Sequence, residues 1–161
     1  LMVVAKNDKV HELLSDMIKE HKVKRTYLAL VEGTFNHETG TIDAPIGRDE
    51  KNREKMKVTD INAKDAITHF RVLKRCNNAT LLECNLETGR THQIRAHLAH
   101  IGHSVLGDGK YGVNEINKKF RLKNQQLCSY ALEFNFSGEK CELSYLDKMK
   151  IQLNKLPFEI F

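Results

Sequence analysis

Apolar residues recur every three or four positions in two stretches of this chain, which is the spacing of one face of a helix. The first stretch covers residues 8–21, and Asn7 or Asp8 can cap its start. The second runs over residues 91–101, and Gly102 is expected to end it because glycine readily adopts the conformation that terminates a helix. These two stretches predict the main helices of the fold.

Strands are predicted where apolar and polar residues alternate, or where a short run is apolar throughout. Residues 24–33 are apolar on both faces, which is typical of a central strand. Asn77 and Asn78 separate two alternating runs and therefore predict a hairpin turn. A second hairpin is predicted around residues 137–139. The predicted strands are residues 1–6, 24–33, 40–46, 64–76, 79–87, 127–136 and 140–146.

The remaining stretches show neither pattern. Residues 48–57 are polar throughout and predict a loop, and residues 103–126 are punctuated by glycine and predict mostly loop. A short helix is expected over residues 147–155. No repeat or linker divides the chain, so we expect one domain over residues 1–161. The sum predicts an α+β fold, a mixed and largely antiparallel sheet of hairpins with two main helices packed on it.

Composition adds a preference for an anionic partner. The 161 residues carry 26 Lys and Arg against 21 Asp and Glu, a net charge of +5, and nucleic acid is the commonest polyanion. None of the four cysteines forms a CxxC pair, which excludes a zinc ribbon and favours reduced thiols. No apolar run reaches the length of a membrane span, and we expect a cytoplasmic protein without membrane association.

The densest polar cluster is residues 87–112, where Gly89 permits a tight turn into the second helix and Thr91 can cap that helix. Arg90 and the free N–H groups of the helix start form a corner suited to an anion. That anion can be a phosphate or a protein carboxylate. The alternative is an arginine that only stabilises its own turn, and the residues alone favour neither.

Three other features have a functional and a structural interpretation. The histidines at 92, 97, 100 and 103 lack the HExxH spacing and an evident third ligand, so no metal is expected and a metal hydrolase is the weaker hypothesis. Asp108 lies between two glycines, which favours a turn-stabilising role over that of a catalytic acid. Tyr27 is either a core residue or a surface on which a base can stack.

The stretch GRTHQIRAHLAHIGHSVLGDGKYG (89–112) resembles a signature of the RluA-type pseudouridine synthases. Three segments resemble the same family in the same order: KRTYLALVEG (24–33), TIDAPIGRDEKNREKMKV (41–58) and DAITHFRVLKRCNNATLLECNLETGR (65–90). The resemblance extends from residue 1 to about residue 136. It implies an enzyme that isomerises uridine to pseudouridine in RNA without cofactor or metal. Ribosomal RNA of the large subunit is the first candidate substrate, and transfer RNA is the second.

The resemblance also implies roles for individual residues. Tyr27 matches the tyrosine that stacks on the flipped base, and Arg90 matches the arginine that pairs with the catalytic carboxylate. Leu127 matches an apolar residue beside the base, although the family's Leu-His-Ala is here Leu127-Cys128-Ser129. Basic residues in two further stretches are expected to face RNA phosphates. They are Arg48, Lys51, Arg53, Lys55, Lys57, Lys118, Lys119, Arg121 and Lys123.

One departure from the family concerns the nucleophile. The catalytic aspartate of the family stands in a motif of the form HRLDxxTSG, and none of the eight aspartates of this chain does. We therefore expect an N-terminally truncated catalytic domain that is inactive alone and self-associates through an uncovered strand edge. The alternative is a non-catalytic RNA-binding module.

Overall fold

The computed structural model describes residues 1–138 and 141–160. Six strands form one sheet in the order β2-β5-β6-β1-β7-β8, two shorter strands form a separate sheet, and every neighbouring pair is antiparallel. The α+β prediction is confirmed. The strands are β1 (Val23–Glu32), β2 (Thr39–Asp43), β3 (Ile46–Arg48), β4 (Met56–Val58), β5 (Ile67–Cys76), β6 (Ala79–Leu86), β7 (Leu127–Phe134) and β8 (Lys150–Gln152). The helices are α1 (Asp8–Lys19), α2 (Gln93–His100) and α3 (Asn114–Lys119), and a 3-10 turn covers Ser144–Leu146.

The central strand is β1, as predicted, with β6 on one side and β7 on the other. Leu28 and Leu30 point to one face of the sheet, and Ala29 and Val31 point to the opposite face. All four are at most 4% exposed. A strand that is apolar on both faces is therefore buried on both faces, which explains the uninterrupted apolar run.

Different elements cover the two faces of the sheet. Ile94 and Leu98 of α2 pack in the cluster that contains Ala29 and Val31. On the opposite face, side chains of α3 and of the C-terminal stretch pack on the cluster that contains Leu28. Helix α2 therefore covers the part of the first face around Ala29 and Val31, and α1 packs on the same strand at Val23.

Helix α1 begins as its sequence indicates. The side chain of Asn7, and not that of Asp8, caps it, because the Asn7 Oδ1 accepts a hydrogen bond from the Val10 N–H at 2.9 Å. Leu14 and Met17 are the buried residues of its apolar stripe. In the part of the chain that the structure describes, no helix has the length and apolar character needed to span a bilayer.

The first predicted hairpin and the predicted helix stop are confirmed. Strands β5 and β6 join through Asn77-Asn78, and Asn78 has a φ of 58°. Gly102 follows α2 with a φ of 81°, a conformation that costs glycine little. Both predictions depended on local backbone chemistry, which sequence expresses directly.

The strand predicted at residues 1–6 is wrong. That segment has no regular structure, and its backbone lies along no strand. Met2 and Val4 are 84% and 70% exposed, while Val3 and Ala5 pack on the cluster around α1. The side chains do alternate between exposed and packed positions. Among the described residues, however, the segment makes one backbone hydrogen bond to the sheet, in which the Leu1 amino group donates to the Ser129 carbonyl at 2.9 Å.

The prediction for the C-terminal stretch is also wrong. Of the strand expected at residues 140–146, the described part forms a turn that leads into the 3-10 turn, and residues 139–140 lie outside the described residues. Strand β8 replaces the helix predicted at residues 147–155 and pairs with β7. The Lys148 N–H donates to the Phe134 carbonyl at 2.8 Å, and Lys148 has a φ of 62°. The segment has a helical sequence pattern, but it forms a strand because it pairs with the free edge of β7.

Two predicted loops contain short elements. The polar stretch 48–57 is mostly loop, but its ends belong to β3 and β4, which make a small arm. The stretch 103–126 contains α3, which has no side-chain cap and only six residues. Asn117, buried in α3, donates from its side chain to the Asp108 carbonyl and accepts from the Gly107 N–H. Tertiary contacts stabilise this helix, and no capping residue marks its start in the sequence.

We predict that Leu98→Ala lowers the free energy of unfolding by about 2–5 kcal/mol, because Leu98 is fully buried between α2 and the sheet. Leu73→Ala is the control, since Leu73 is 40% exposed on β5 and should lose well under half as much. Urea unfolding measures both variants. Equal losses would contradict the proposed burial of α2.

Candidate functional site

A cavity of about 170 Å³ lies where the central strands meet the start of α2. Its walls combine four apolar side chains with four polar ones, two of which are arginines. The lining residues are Tyr27, Leu86, Arg90, His92, Gln93, Ile94, Arg95 and Leu127. The structure therefore brings together Tyr27, Arg90 and Leu127, three residues that the resemblance singles out and that are up to 100 positions apart.

Strand register explains why Tyr27 and Leu127 are neighbours. Tyr27 lies opposite Cys84 of β6, and Leu127 lies opposite Ala29 of β1. Tyr27 and Ala29 are two positions apart on one strand, so their side chains share a face. That face is the one that α2 covers, and Tyr27 and Leu127 both pack at its margin.

The side chain of Gln93 fixes the start of α2. Gln93 is 2% exposed, and its Nε2 donates to the Ile67 carbonyl at 2.9 Å and to the Thr68 Oγ1 at 3.0 Å. Its Oε1 accepts from the Thr88 Oγ1 at 2.7 Å and from the Arg90 N–H at 2.9 Å. One amide thus joins the helix to β5 and to the preceding turn with all its hydrogen-bonding capacity.

The expected cap at Thr91 is wrong, because His92 is the residue that precedes α2. His92 has a φ of 55° and makes no side-chain cap. Gln93 accepts instead from the Arg90 N–H, which lies before the helix, and so ties the preceding turn to α2. The sharp turn at His92 brings its ring into the cavity wall next to Arg90.

Arg90 is held by one nitrogen of its side chain, and the anion that the sequence suggests stays a prediction. The Arg90 Nε donates to the Asp65 carbonyl at 2.9 Å, which holds the side chain against the turn before β5. Its terminal nitrogens form no hydrogen bond or ion pair with the described residues, and the side chain is exposed at the cavity. Arg90 is therefore anchored and still presents two nitrogens to an anion.

Asp108 is a structural residue, as the sequence favoured. It is 1% exposed and forms a bidentate pair with Arg95, at 2.6 Å from Nε and 2.8 Å from Nη2. The N–H groups of Lys110 and Tyr111 donate to the same carboxylate. Burial alone would raise the pKa of Asp108, but these donors outweigh it and hold the pKa below its ordinary value. A charged, enclosed and fully bonded carboxylate is a poor acid catalyst.

The pair with Asp108 places Arg95 between the cavity and the arm. The Arg95 guanidinium lies 4.7 Å from the centre of the Tyr111 ring, in a cation–π contact. The Tyr111 Oη accepts from the Met56 N–H at 2.7 Å and lies 3.0 Å from the His92 Nδ1. Sequence reasoning assigned no role to Arg95 or Tyr111, although both lie within the family signature.

The histidines that raised the metal hypothesis lie apart and mostly bind the protein itself. His97 is fully buried, with its Nε2 donating to the Ala44 carbonyl and its Nδ1 next to the Thr68 Oγ1. His103 donates to the Glu32 carbonyl from Nδ1. Within residues 1–138 and 141–160, no three ligating side chains come together as a metal group would require. Burial is the main cause that lowers the pKa of His92, followed by the charges of Arg95 and Lys110.

The predicted RNA-facing cations fall into two sets on different faces. The arm set lies on β3, β4 and the loop between them, next to α2, and consists of Arg48, Lys51, Arg53, Lys55 and Lys57. The α3 set lies on α3 and the residues after it, which pack on the opposite face of the sheet, and consists of Lys118, Lys119, Arg121 and Lys123. No residue of either set lines the cavity, and the arm set lies next to α2, whose first residues do.

Comparison with known proteins agrees with this geometry. Residues 1–100 match the family described as RNA pseudouridylate synthase. The chain is 54% identical over 112 residues to a protein of Bacillus subtilis named uncharacterized RNA pseudouridine synthase YlyB, covering 70% of this chain and 37% of that protein. It is 45% identical over 138 residues to ribosomal large subunit pseudouridine synthase D of Nitrosomonas europaea, covering 83% of this chain and 40% of that protein. The chain therefore belongs to the RNA pseudouridine synthase family.

A solved structure agrees as well. Human RNA pseudouridylate synthase domain containing 1 superposes with a TM-score of 0.74 at 28% identity, over 84% of this chain and 59% of that chain. The present chain thus spans well under half the length of the curated relatives and somewhat more than half of this structural neighbour.

We predict that stability falls as the pH drops below about 6.5, because burial lowers the pKa of His97 from its ordinary 6.5. The unfolded chain then binds more protons than the folded one, and the hydrogen bond to Ala44 offsets this only in part. Urea midpoints between pH 7.5 and 5.5 measure the slope. His97→Gln should be less stable at pH 7.5, and its stability should depend less on pH. Some pH dependence should remain, because the lowered pKa of His92 acts in the same direction.

His11→Gln is the control for that experiment, because His11 is exposed on α1 and is not among the groups that shift the pKa of His97. It should keep the slope of the parent chain. A His97→Gln profile as steep as that of the parent would show that this buried imidazole does not carry the pH dependence.

Proposed function

We propose that the protein to which this chain belongs isomerises uridine to pseudouridine in RNA. The observation that carries the proposal is the convergence of Tyr27, Arg90 and Leu127 at one cavity between the central strands and α2. Its volume of about 170 Å³ suits a single pyrimidine ring, since a cavity of about 150 Å³ accommodates benzene. The target base would leave its helix to enter this cavity.

Tyr27 and the apolar walls would offset the cost of removing the base from its helix. Unstacking a base costs a few kcal/mol, and stacking on one aromatic ring is worth about 1–3 kcal/mol. Leu127 would pack beside the base opposite the polar wall. The uracil ring has to turn while bound, so walls that are apolar rather than hydrogen-bonded to each edge favour this reaction.

Arg90 would orient the carboxylate that starts the chemistry. The N1–C1′ bond breaks, the uracil turns, and C5 bonds to C1′ while the C5 proton is lost and N1 gains one. Composition is unchanged, so the reaction needs neither oxidant nor cofactor. Because Asp108 is fully bonded to Arg95 and two N–H groups, we propose that the nucleophile comes from an HRLD-type motif of the whole protein.

The substrate we propose is large-subunit ribosomal RNA, encountered in the cytoplasm. Several relatives are named ribosomal large subunit pseudouridine synthase D, at 45–48% identity over 70–83% of this chain. Transfer RNA is the alternative substrate, and a non-catalytic RNA-binding module is the alternative function. The two basic sets would hold phosphates and contribute little sequence preference.

We predict that a protein joining an HRLD-type segment to this chain releases tritium from RNA labelled at C5 of uridine. The chain of 161 residues alone should release none, because it would bind the base without a nucleophile. Ribosomal RNA fragments and transfer RNA transcripts should be compared as substrates. In the active protein, Arg90→Gln should lower kcat about 100-fold, since a displaced reacting group costs about that much.

Tyr145→Phe is a matched control for Tyr27→Phe, since Tyr145 is 72% exposed and lies outside the cavity. Only Tyr27→Phe should impair turnover. Tritium release by the 161-residue chain would overturn the assignment of the nucleophile, and RNA binding without release by any form would favour the non-catalytic module.

We predict that replacing Lys51, Arg53 and Lys57 of the arm with Gln weakens RNA binding and flattens its salt dependence. Each lost phosphate contact should reduce the slope of log K against log salt by about 0.7–0.9. Binding is measured by fluorescence anisotropy with a short stem-loop and with a longer RNA.

The matched variant replaces Lys118, Lys119 and Arg121 with Gln. Because α3 packs on the face away from the cavity, this change should weaken binding of the longer RNA and spare the short stem-loop. An arm variant that binds the stem-loop as tightly as the parent would overturn the proposed role of the arm.

A further inference from the structure

Arg25 of β1 places its guanidinium directly over Gly89, in the turn that precedes α2. A Cβ atom at position 89 would lie 3.2 Å from the Arg25 Nη2, 3.4 Å from Nη1 and 3.8 Å from Cζ. The absence of a side chain at Gly89 therefore allows the Nη1–Nη2 edge of Arg25 to approach the backbone next to Arg90. Gly89 has an ordinary φ, so close approach and not backbone conformation is what requires glycine here.

This guanidinium lacks a protein partner within residues 1–138 and 141–160. Arg25 makes no ion pair or hydrogen bond from its side chain with any described residue. By contrast, carboxylates pair with three other arginines, in Arg71–Glu83, Arg75–Glu38 and Arg95–Asp108. Arg25 is partly buried, and a half-buried guanidinium with five unused donors is costly unless an anion binds it.

The position of Arg25 relative to Tyr27 indicates what that anion is. The two residues are two positions apart on β1, although the register with β7 shifts between Thr26 and Tyr27. The contact with Gly89, in the turn before α2, places the Arg25 guanidinium on the side of the sheet that α2 covers, which is also the side of Tyr27. Two steps along a strand cover about 7 Å. The separation is comparable to that between a base and its own phosphates across the ribose. Arg90 lines the cavity, and its Nε is already bonded to the Asp65 carbonyl. Arg25 does not line the cavity and is therefore the cation farther from the base.

We propose that Arg25 binds a phosphate of the RNA strand next to the base held at Tyr27. The inference rests on the proposed function and adds a specific substrate contact to it. The Nη1–Nη2 edge faces Gly89, and a guanidinium has a second edge, formed by Nε and one Nη, from which a phosphate accepts two hydrogen bonds at once. Arg90 then serves the catalytic carboxylate and Arg25 the backbone of the target nucleotide.

The test compares Arg25→Gln, Arg25→Lys and the control Lys24→Gln in this chain. Lys24 is exposed on the opposite face of the same strand, so its loss should leave binding to the cavity unchanged. A uridine-containing stem-loop is the probe, and anisotropy gives affinity at several salt concentrations. Arg25→Gln should weaken binding about tenfold and reduce the salt slope by about 0.7–0.9. Arg25→Lys should keep the slope and lose part of the affinity.

The outcomes separate this inference from the proposed function. Thermal unfolding of Arg25→Gln should match that of the parent chain, because the arginine has no protein partner to lose. Unchanged RNA affinity and an unchanged salt slope in Arg25→Gln would overturn the inference. It would be overturned even if turnover of the active protein fell, because Arg25 would then bind a carboxylate and not an RNA phosphate. A parent chain that binds no RNA would overturn the proposed function itself.

Discussion

The structure of the site depends on one buried amide, that of Gln93. It is the first residue of α2 and bonds β5 and the preceding turn simultaneously, through two donors and two acceptors. A helix start normally needs a side chain before it to accept an orphan N–H. No side chain caps α2 in this way, and Gln93 instead accepts from the Arg90 N–H in the preceding turn. The turn that contributes Arg90 and His92 to the cavity wall is thus held in place by the first residue of the helix.

A second polar chain extends this constraint to the arm. Thr68 accepts from Gln93 and meets the Nδ1 of His97, whose Nε2 donates to the Ala44 carbonyl just before β3. Because Nε2 must be the donor to a carbonyl, Nδ1 is the acceptor and Thr68 donates to it. Each polar side-chain atom in this series of hydrogen bonds, from Gln93 through Thr68 to His97, thus has a partner of the correct kind. The cavity wall and the base of the arm are held by the same helix, and displacing α2 would disturb both.

Sequence predicted best the features whose causes are local. The stripe of α1 with its Asn7 cap and the Asn77-Asn78 turn depend on residues within a few positions of each other. The strand expected at residues 1–6 and the helix expected at residues 147–155 failed because a free sheet edge decides pairing, and the edge of β7 is formed by distant residues. For the site, motif resemblance found Tyr27, Arg90 and Leu127. It did not reveal the contact of Arg95 with Asp108, since 13 positions and a turn separate them.

The arginines around the cavity show how a partner decides a residue's task. The charge of Arg95 is balanced by Asp108, and its guanidinium packs on the ring of Tyr111. Arg95 therefore has a structural role between the cavity and the arm. Arg90 is tied by one nitrogen to a neutral carbonyl and keeps its full charge available. Arg25 rests on Gly89 with no acid beside it among the described residues. Three chemically identical groups therefore supply one structural cation and two unbalanced ones. The two unbalanced charges lie at the turn before α2, next to the cavity, so part of the net charge of +5 belongs to this site.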